Sequence, residues 1–154
     1  QSENYVYITT PYLIIDYDLT EALKNAAIRG VDVRIITPAV ADKKKIKVMT
    51  KSSYAPLVLA GIKIYEYTPG FIHEKCFVCD DKYAVVGTIN FDYRSFVHNF
   101  ENAVWMYVSP TCIAVKEEFL NTQRKSERVD EKTSKLSFID WVTRNGIRLS
   151  APLM

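Results

Sequence analysis

The sequence predicts an α/β protein in which a mixed β-sheet is flanked by helices on both faces. Strand-like and helix-like segments alternate through the first half of the chain, which is typical of parallel pairing, and several strands then follow one another. With 154 residues, 48% of them hydrophobic, the chain is long enough to bury one sizeable core. We therefore expect a folded globular domain.

The first part of the chain predicts a strand, a helix and a second strand. The segment YVYITTPY is rich in aromatic and β-branched residues and stops at its proline. The helix that follows can be capped by Asp16 or by Asp18, and its apolar stripe ends at Gly30. VDVRIIT then predicts the second strand.

The next part predicts one helix and a strand. The basic run DKKKIKVMTKSS leads into YAPLVLAG, which indicates a helix that ends at Gly61 and that Pro56 kinks or breaks. IKIYEY alternates apolar and polar residues and predicts a strand closed by the turn at Pro69 and Gly70.

Strands dominate the middle of the chain. FIHEKCFVC and YAVVG predict two strands joined by a tight turn at residues 80–82, and ENAVWMYV predicts a third. CIAVKEEFLNTQRKS predicts a helix, and SFIDWVTRNGIRL predicts a short amphipathic helix that either lies at a membrane surface or docks on the domain. The polar segment 124–135 between these two helices lacks periodicity and is predicted to be a mobile linker or a frayed helix end.

Charge and cysteine content restrict the possible functions. The 20 basic and 18 acidic residues give a net charge of +2, too balanced for binding nucleic acid by bulk charge. The lysines from 43 to 51 form either a solvated helix face or a contact with anionic lipid. Three cysteines indicate a reducing compartment, and Cys76 and Cys79 should point to opposite faces of a strand, as core residues do.

One histidine has a distinctive setting. In a strand from Phe71 to Cys79, His73 and Lys75 share a face and lie in apolar surroundings, where an unpaired ammonium is costly. An anionic partner is therefore expected. The pair suits phosphoryl transfer, in which a neutral imidazole attacks phosphorus and a positive charge holds the non-bridging oxygens.

Three further side chains complete this predicted site. Asn90 brings an amide and Thr88 a hydroxyl to the same end of the sheet, where both can hold phosphate oxygens. Glu101 can accept the other ring N–H of His73 and so fix its tautomer.

Together these residues resemble the signature of the phospholipase D superfamily. The matching pattern is His73-x-Lys75, then Asp80, then Gly87-Thr88-x-Asn90. The stretches GTINFDYRSFVHNFE, ITTPYLIID, YEYTPGFIH and RLSAPLM look like the C-terminal half of bacterial cardiolipin synthases of this superfamily. The resemblance covers nearly the whole chain.

The resemblance implies a phospholipase D-like fold and a double-displacement reaction in which two such halves form one active site. One histidine forms a phosphohistidine with the substrate, and the other protonates the leaving alcohol and then activates the acceptor. Carried onto this sequence, His73 is the catalytic histidine, Lys75, Asn90 and Thr88 hold the phosphate, and Glu101 orients His73. Asp80 belongs to the catalytic motif, although its place at the far end of the strand favours a structural role.

The resemblance also implies a domain organisation, a substrate and a location. Residues 1–123 would form the catalytic half, 124–135 the linker, and 136–154 an amphipathic helix and tail. The expected reaction transfers a phosphatidyl group between two phosphatidylglycerol molecules to give cardiolipin and glycerol. Since the chain begins at Gln1, we expect a piece of a longer membrane protein that acts on the cytoplasmic side.

The expected partners are phosphatidylglycerol, an anionic membrane surface, and either the N-terminal half of the parent chain or a second copy. No nucleic acid is expected. No cofactor is expected either, because no cluster of acids and histidines with metal-ligand spacing accompanies the motif. Two alternatives remain open, namely a phosphodiesterase that hydrolyses lipid or nucleic acid, and a half-domain that docks on membranes without catalysis.

Overall fold

The computed structural model describes residues 2–147, which form a seven-stranded mixed sheet, a two-stranded sheet and six helices. The strands are β1 (Tyr5–Thr9), β2 (Leu13–Ile14), β3 (Asp32–Pro38), β4 (Lys63–Tyr67), β5 (Cys76–Cys79), β6 (Tyr83–Gly87), β7 (Phe91–Asp92), β8 (Ala103–Tyr107) and β9 (Ser126–Arg128). The helices are α1 (Tyr17–Ile28), α2 (Lys44–Ser52), α3 (Tyr54–Leu59), α4 (Tyr93–Val97), α5 (Pro110–Arg124) and α6 (Phe138–Ile147).

The strands of the large sheet lie in the order β8-β6-β5-β1-β3-β4-β9. The pairs β1–β3 and β3–β4 are parallel, as expected for strands connected through helices, and the other pairs are antiparallel. β2 and β7 pair in parallel as the second sheet. The predicted mixed sheet is confirmed.

Helices cover both faces of the sheet, as predicted. On one face, Leu23 of α1 and Leu57 of α3 pack with Ile35 of β3. On the other face, Phe119 of α5 packs with the next residue of β3, Ile36. Successive strand residues point to opposite faces, so the apolar run in β3 supplies both cores.

The helix boundaries follow from local chemistry. Asp16 caps α1, because its carboxylate accepts a hydrogen bond of 2.8 Å from the backbone N–H of Leu19. The single helix predicted up to Gly61 is two helices that meet at Ser53, so Pro56 does not cause the break. Pro56 is the third residue of α3, where a backbone N–H has no intrahelical partner, and it is tolerated there.

The prediction of a strand from Phe71 to Cys79 is wrong in its first half, because β5 contains only Cys76–Cys79. β5 pairs with β1 and β6, and β1 ends at Thr9, two residues before Pro11. Residues 71–75 therefore lie beyond the last strand pair of β1. They form a segment without regular secondary structure, which is tied to β6 through the Lys75 carbonyl, an acceptor at 3.1 Å from the backbone N–H of Gly87.

The segment 124–135 also differs from its prediction as a mobile linker or a frayed helix end, because it contains the strand β9. β9 joins the edge of the large sheet next to β4, and the backbone N–H of Val129 donates to the carbonyl of Ile64 at 2.9 Å. A turn follows in which Thr133 donates from its backbone N–H to the carboxylate of Asp130 at 2.6 Å. Strand pairing across the sheet gives this polar segment an order that its own sequence does not indicate.

The predicted amphipathic helix is present as α6 and packs against α2. Phe138, Ile139, Trp141 and Val142 are nevertheless exposed. The predicted tail, residues 148–154, lies outside the described residues. In the stretch from residue 2 to residue 147, no helix combines the length and apolar character needed to cross a lipid bilayer.

Candidate active site

The irregular segment before β5 brings His73 and Lys75 into direct contact. The Lys75 ammonium nitrogen Nζ lies 2.9 Å from Nδ1 and 3.0 Å from Nε2 of the His73 ring, and it donates to the His73 carbonyl oxygen at 2.7 Å. A lysine ammonium has donors only, so the ring nitrogen that accepts from it carries no proton. The predicted pair is thus in contact because the Lys75 side chain bends back towards His73, and not because the two residues alternate along a strand.

The environment lowers the pKa of His73. Burial disfavours the imidazolium, and the neighbouring Lys75 ammonium disfavours it further, while Asp42 acts in the opposite direction. Burial also lowers the pKa of Lys75, against the attraction of Glu101 and Asp92. The ordinary pKa of histidine is near 6.5, so a lowered value leaves the imidazole unprotonated at neutral pH.

Thr88 and Glu101 contact each other. The Thr88 hydroxyl donates to Oε2 of Glu101, and Asn99 donates to Oε1 at 3.1 Å. These two hydrogen bonds lower the pKa of Glu101, and the bond from Thr88 has the larger effect. Burial acts in the opposite direction. Within the described residues, no hydrogen bond joins Glu101 to His73, so the predicted orienting contact is not formed. The negative charge of Glu101 acts instead on Lys75, whose pKa it raises against the effect of burial.

Asn90 lies beside a polar cavity close to His73. Its backbone N–H donates to Ser95 Oγ at 3.2 Å, and its side-chain oxygen is buried without a hydrogen-bond partner in the part of the chain described. Asp92 is buried, and burial raises its pKa. The cavity has a volume of about 310 Å³ and is lined by Tyr12, Ile14, Lys43, Ile46, Asn90, Asp92, Arg94 and Asn99.

Several of these lining residues were not singled out from the sequence. The ring of Tyr12 lies with its centroid 6.4 Å from that of His73, and its hydroxyl donates to Asp42 at 2.8 Å. Burial and this bond raise the pKa of Tyr12 to about 12. Arg94 and Asn99 bond to each other at 3.2 Å. All three fall within stretches that resemble the phospholipase D superfamily, which is the signal that could have identified them.

Asp80 lies at the opposite end of β5 from Lys75. Its carboxylate accepts hydrogen bonds from the backbone N–H groups of Glu3, Asn4 and Tyr5, at 2.8, 2.9 and 2.9 Å. Burial raises its pKa, but these donors outweigh that effect and the net shift is downward. Asp80 thus anchors the start of β1 to the β5–β6 turn.

The fold is that of a phospholipase D-type domain. Nuc, a phospholipase D family member from Salmonella typhimurium of known crystal structure, superposes with a TM-score of 0.73 at 20% sequence identity, and the match covers 84% of each chain. At that identity the likeness concerns the fold, and it confirms the predicted fold class.

Sequence comparison shows the family. Residues 1–123 match the family model described as cardiolipin synthase, PLD-like domain, and the chain belongs to this family. A Geobacillus kaustophilus cardiolipin synthase is 36% identical over 150 residues, 97% of this chain and 30% of its own length. An uncharacterized protein of Streptococcus mutans is 50% identical over 133 residues, 86% of this chain and 29% of its own. The chain therefore spans just under a third of the length of these relatives.

Proposed function

We propose that this chain is the C-terminal catalytic half of a cardiolipin synthase, which transfers a phosphatidyl group from one phosphatidylglycerol to another and releases glycerol. The contact between the Lys75 ammonium and the His73 ring carries the proposal. It combines an unprotonated imidazole with an adjacent positive charge, as attack on an anionic phosphodiester requires. The name of the Geobacillus relative supports the choice of lipid reaction.

The first half of the reaction forms a phosphohistidine. An unprotonated ring nitrogen of His73 attacks the phosphorus, a P–N bond forms, and the bond from phosphorus to the glycerol oxygen breaks. The leaving oxygen takes a proton from a second histidine, supplied by another half-site. Lys75 turns from the ring to the non-bridging oxygens and offsets their negative charge, while the amide of Asn90 and the hydroxyl of Thr88 donate hydrogen bonds to them.

The second half reverses these roles. The histidine of the other half-site removes the proton from a hydroxyl of the acceptor phosphatidylglycerol, and that oxygen attacks the phosphorus. The P–N bond breaks, cardiolipin forms, and His73 returns to its unprotonated state. The polar cavity next to His73, which Asn90 and Arg94 line, is of a size suited to a glycerol headgroup.

The reaction takes place at a membrane surface, with the second half-site provided by the N-terminal part of a longer chain or by a second copy. Lys43, Lys44 and Lys45 are exposed at the start of α2, and each basic residue close to an anionic bilayer contributes about 1 kcal/mol of attraction. The free state of all three cysteines suits the cytoplasmic side.

Product analysis of the parent enzyme tests the proposal. Wild-type enzyme with phosphatidylglycerol in mixed micelles should give cardiolipin and glycerol in mass spectra, and His73→Gln should give neither. His98→Gln is the matched control, because His98 is the other histidine of the chain and lies exposed at the end of α4. An acid-sensitive phosphoryl adduct on the His73 peptide is expected in quenched wild-type reactions.

Other products would change the conclusion. Phosphatidic acid without cardiolipin would mean that water is the acceptor and that the domain is a hydrolase. Cardiolipin formation by His73→Gln at the wild-type rate would overturn the assignment of the nucleophile.

A further inference from the structure

A row of side chains crosses the large sheet, and one end of it is left uncovered. Ile35 of β3 pairs with Ile8 of β1, and Ile8 pairs with Phe77 of β5. Phe77 in turn pairs with Val85 of β6, and Val85 pairs with Trp105 of β8. Residues directly opposite one another on neighbouring strands point to the same face, so these five side chains share one face of the sheet.

Coverage decreases along this row. α1 and α3 bury Ile8 and Ile35, which are 2% and 0% exposed. Trp105 at the other end is 67% exposed. On the opposite face of the same strands, Val78 and Ala84 are buried beneath α5. The end of the row at Trp105 therefore lacks a cover on the α1–α3 side, and on the opposite face the pair Val86 and Val104 is also exposed, at 40% and 62%. Exposed apolar patches of this kind mark interaction sites.

A cavity of about 350 Å³ occupies this uncovered end. Its floor is the sheet face, and its side wall comes from the segment after β6 and from α4. The apolar residues that shape it are Phe77, Val85, Ile89, Phe91, Phe96 and Trp105.

The cavity connects directly to the candidate active site. Lys75 is the one charged residue among those that line it. The ammonium of this same residue lies 2.9 Å from the His73 ring. A lysine commonly places its methylene stem along apolar surface while its charged end reaches a polar partner. Lys75 thus lies between the candidate active site and the apolar cavity, because its ammonium contacts His73 and the same residue lines the cavity.

We propose that this cavity binds an acyl chain of the phospholipid whose phosphate lies on Lys75. The inference rests on the proposed function, because it assumes that Lys75 holds a lipid phosphate. Apolar walls continuous with a cationic rim match the chemistry of a phospholipid, and the volume is within the range of roughly 300–1,000 Å³ usual for ligand sites. The site would make acyl chains part of substrate recognition in addition to the headgroup.

Trp105 offers a direct test of binding that does not depend on turnover. In the parent enzyme, the quenching that is lost in a Trp105→Phe variant is the contribution of Trp105, one of the two tryptophans of this chain. Phosphatidylglycerol with brominated acyl chains should quench Trp105 when a chain enters the cavity. Val85→Phe fills the floor and should weaken the apparent affinity measured by this quenching about tenfold, the effect of excluding roughly two methylene groups. Val86→Phe is the matched control, since Val86 points to the opposite face and does not line the cavity.

Each outcome decides the proposal. Quenching that Val85→Phe reduces and Val86→Phe preserves would support it. Absence of quenching would overturn it, and equal quenching in all variants would mean contact with a lipid surface and no entry into the cavity. A loss of self-association in Val85→Phe without quenching in the wild type would make the face an interface between copies.

Two safeguards keep the test decisive. If circular dichroism shows that Val85→Phe does not fold, Phe96→Ala replaces it, because Phe96 is 52% exposed at the rim and its removal should weaken quenching without disturbing the core. Failure of the proposed function would appear separately, as absence of cardiolipin from the parent enzyme while quenching persists.

Discussion

Replacing Asp80 by asparagine should lower the free energy of unfolding by about 2 kcal/mol without changing the surroundings of His73. The substitution keeps the size of the side chain, and asparagine tolerates the left-handed backbone that Asp80 adopts at φ 54°. It removes the negative charge and one of the two accepting oxygens. The backbone N–H groups of Glu3, Asn4 and Tyr5 depend on those oxygens.

The magnitude follows from these three bonds. A hydrogen bond to a charged group contributes about 1.5–3 kcal/mol, roughly twice a neutral one. The bond from Glu3 to Oδ2 is lost, but it is exposed and water replaces it, so its loss costs about 1 kcal/mol. The two bonds to Oδ1 become neutral and weaken by about 0.5 kcal/mol each. A loss of about 2 kcal/mol should lower the melting temperature of a chain of this size by about 4–8 °C.

The effect should depend on pH in a defined direction. Although burial raises the pKa of Asp80, the backbone donors lower it below the ordinary value of 3.8. A carboxylate with a lowered folded-state pKa contributes stability that is present above the unfolded-state pKa and is lost as the pH falls through the folded-state pKa. The difference between wild type and Asp80→Asn should be complete above about pH 5 and should disappear in strong acid.

Urea denaturation followed by circular dichroism, at neutral pH and at a series of acidic pH values, measures this difference. Asp18→Asn is the control, since Asp18 is an exposed carboxylate in the first turn of α1 and its charge is worth less than about 1 kcal/mol. An Asp80→Asn protein as stable as wild type at neutral pH would refute the anchoring argument. If cardiolipin formation by the parent enzyme were then abolished, Asp80 would have to be assigned a direct role in the reaction.

Two further predictions concern the strand pairing and the histidine. A side chain at Gly87 would collide with the backbone of residues 102 and 103, so Gly87→Ala should destabilise the fold by about 2–3 kcal/mol in urea denaturation. Gly70→Ala, where no heavy atom lies within 4 Å of an added Cβ, should change stability by less than about 0.5 kcal/mol, and equal effects would contradict the packing argument. Lys75→Met removes one of the two causes that lower the pKa of His73, so this pKa should rise, although burial persists. Proton NMR titration of the His73 ring in a His98→Gln background measures it, and an unchanged midpoint would show that the lysine charge does not act on the ring.

The sequence by itself determined most of the sheet and indicated His73 and Lys75 as a neighbouring pair, whose role in a site stays a prediction. β1, β3, β4 and β6 lie where alternation and β-branched composition predicted them, because these patterns are local to each strand. The start of α1 was also predicted, because aspartates that can cap a helix precede its apolar stripe. Only the structure shows that Asp16, and not Asp18, is the cap. His73 and Lys75 could be singled out because their spacing resembles the phospholipase D signature, a short pattern that the sequence displays directly.

Tertiary structure decided the features that depend on distant neighbours. β5 is shorter than its composition predicts because β1, its partner, ends at Thr9, and the ordered segment 126–128 exists because the edge of β4 is available to pair with it. The hydrogen bonds of Glu101 also depend on distant neighbours. The sequence predicted that Glu101 accepts from His73, whereas in the structure it accepts from the Thr88 hydroxyl. Hydrogen-bond partners and empty space next to Lys75 are properties of several chain segments at once, so no local pattern in the sequence encodes them.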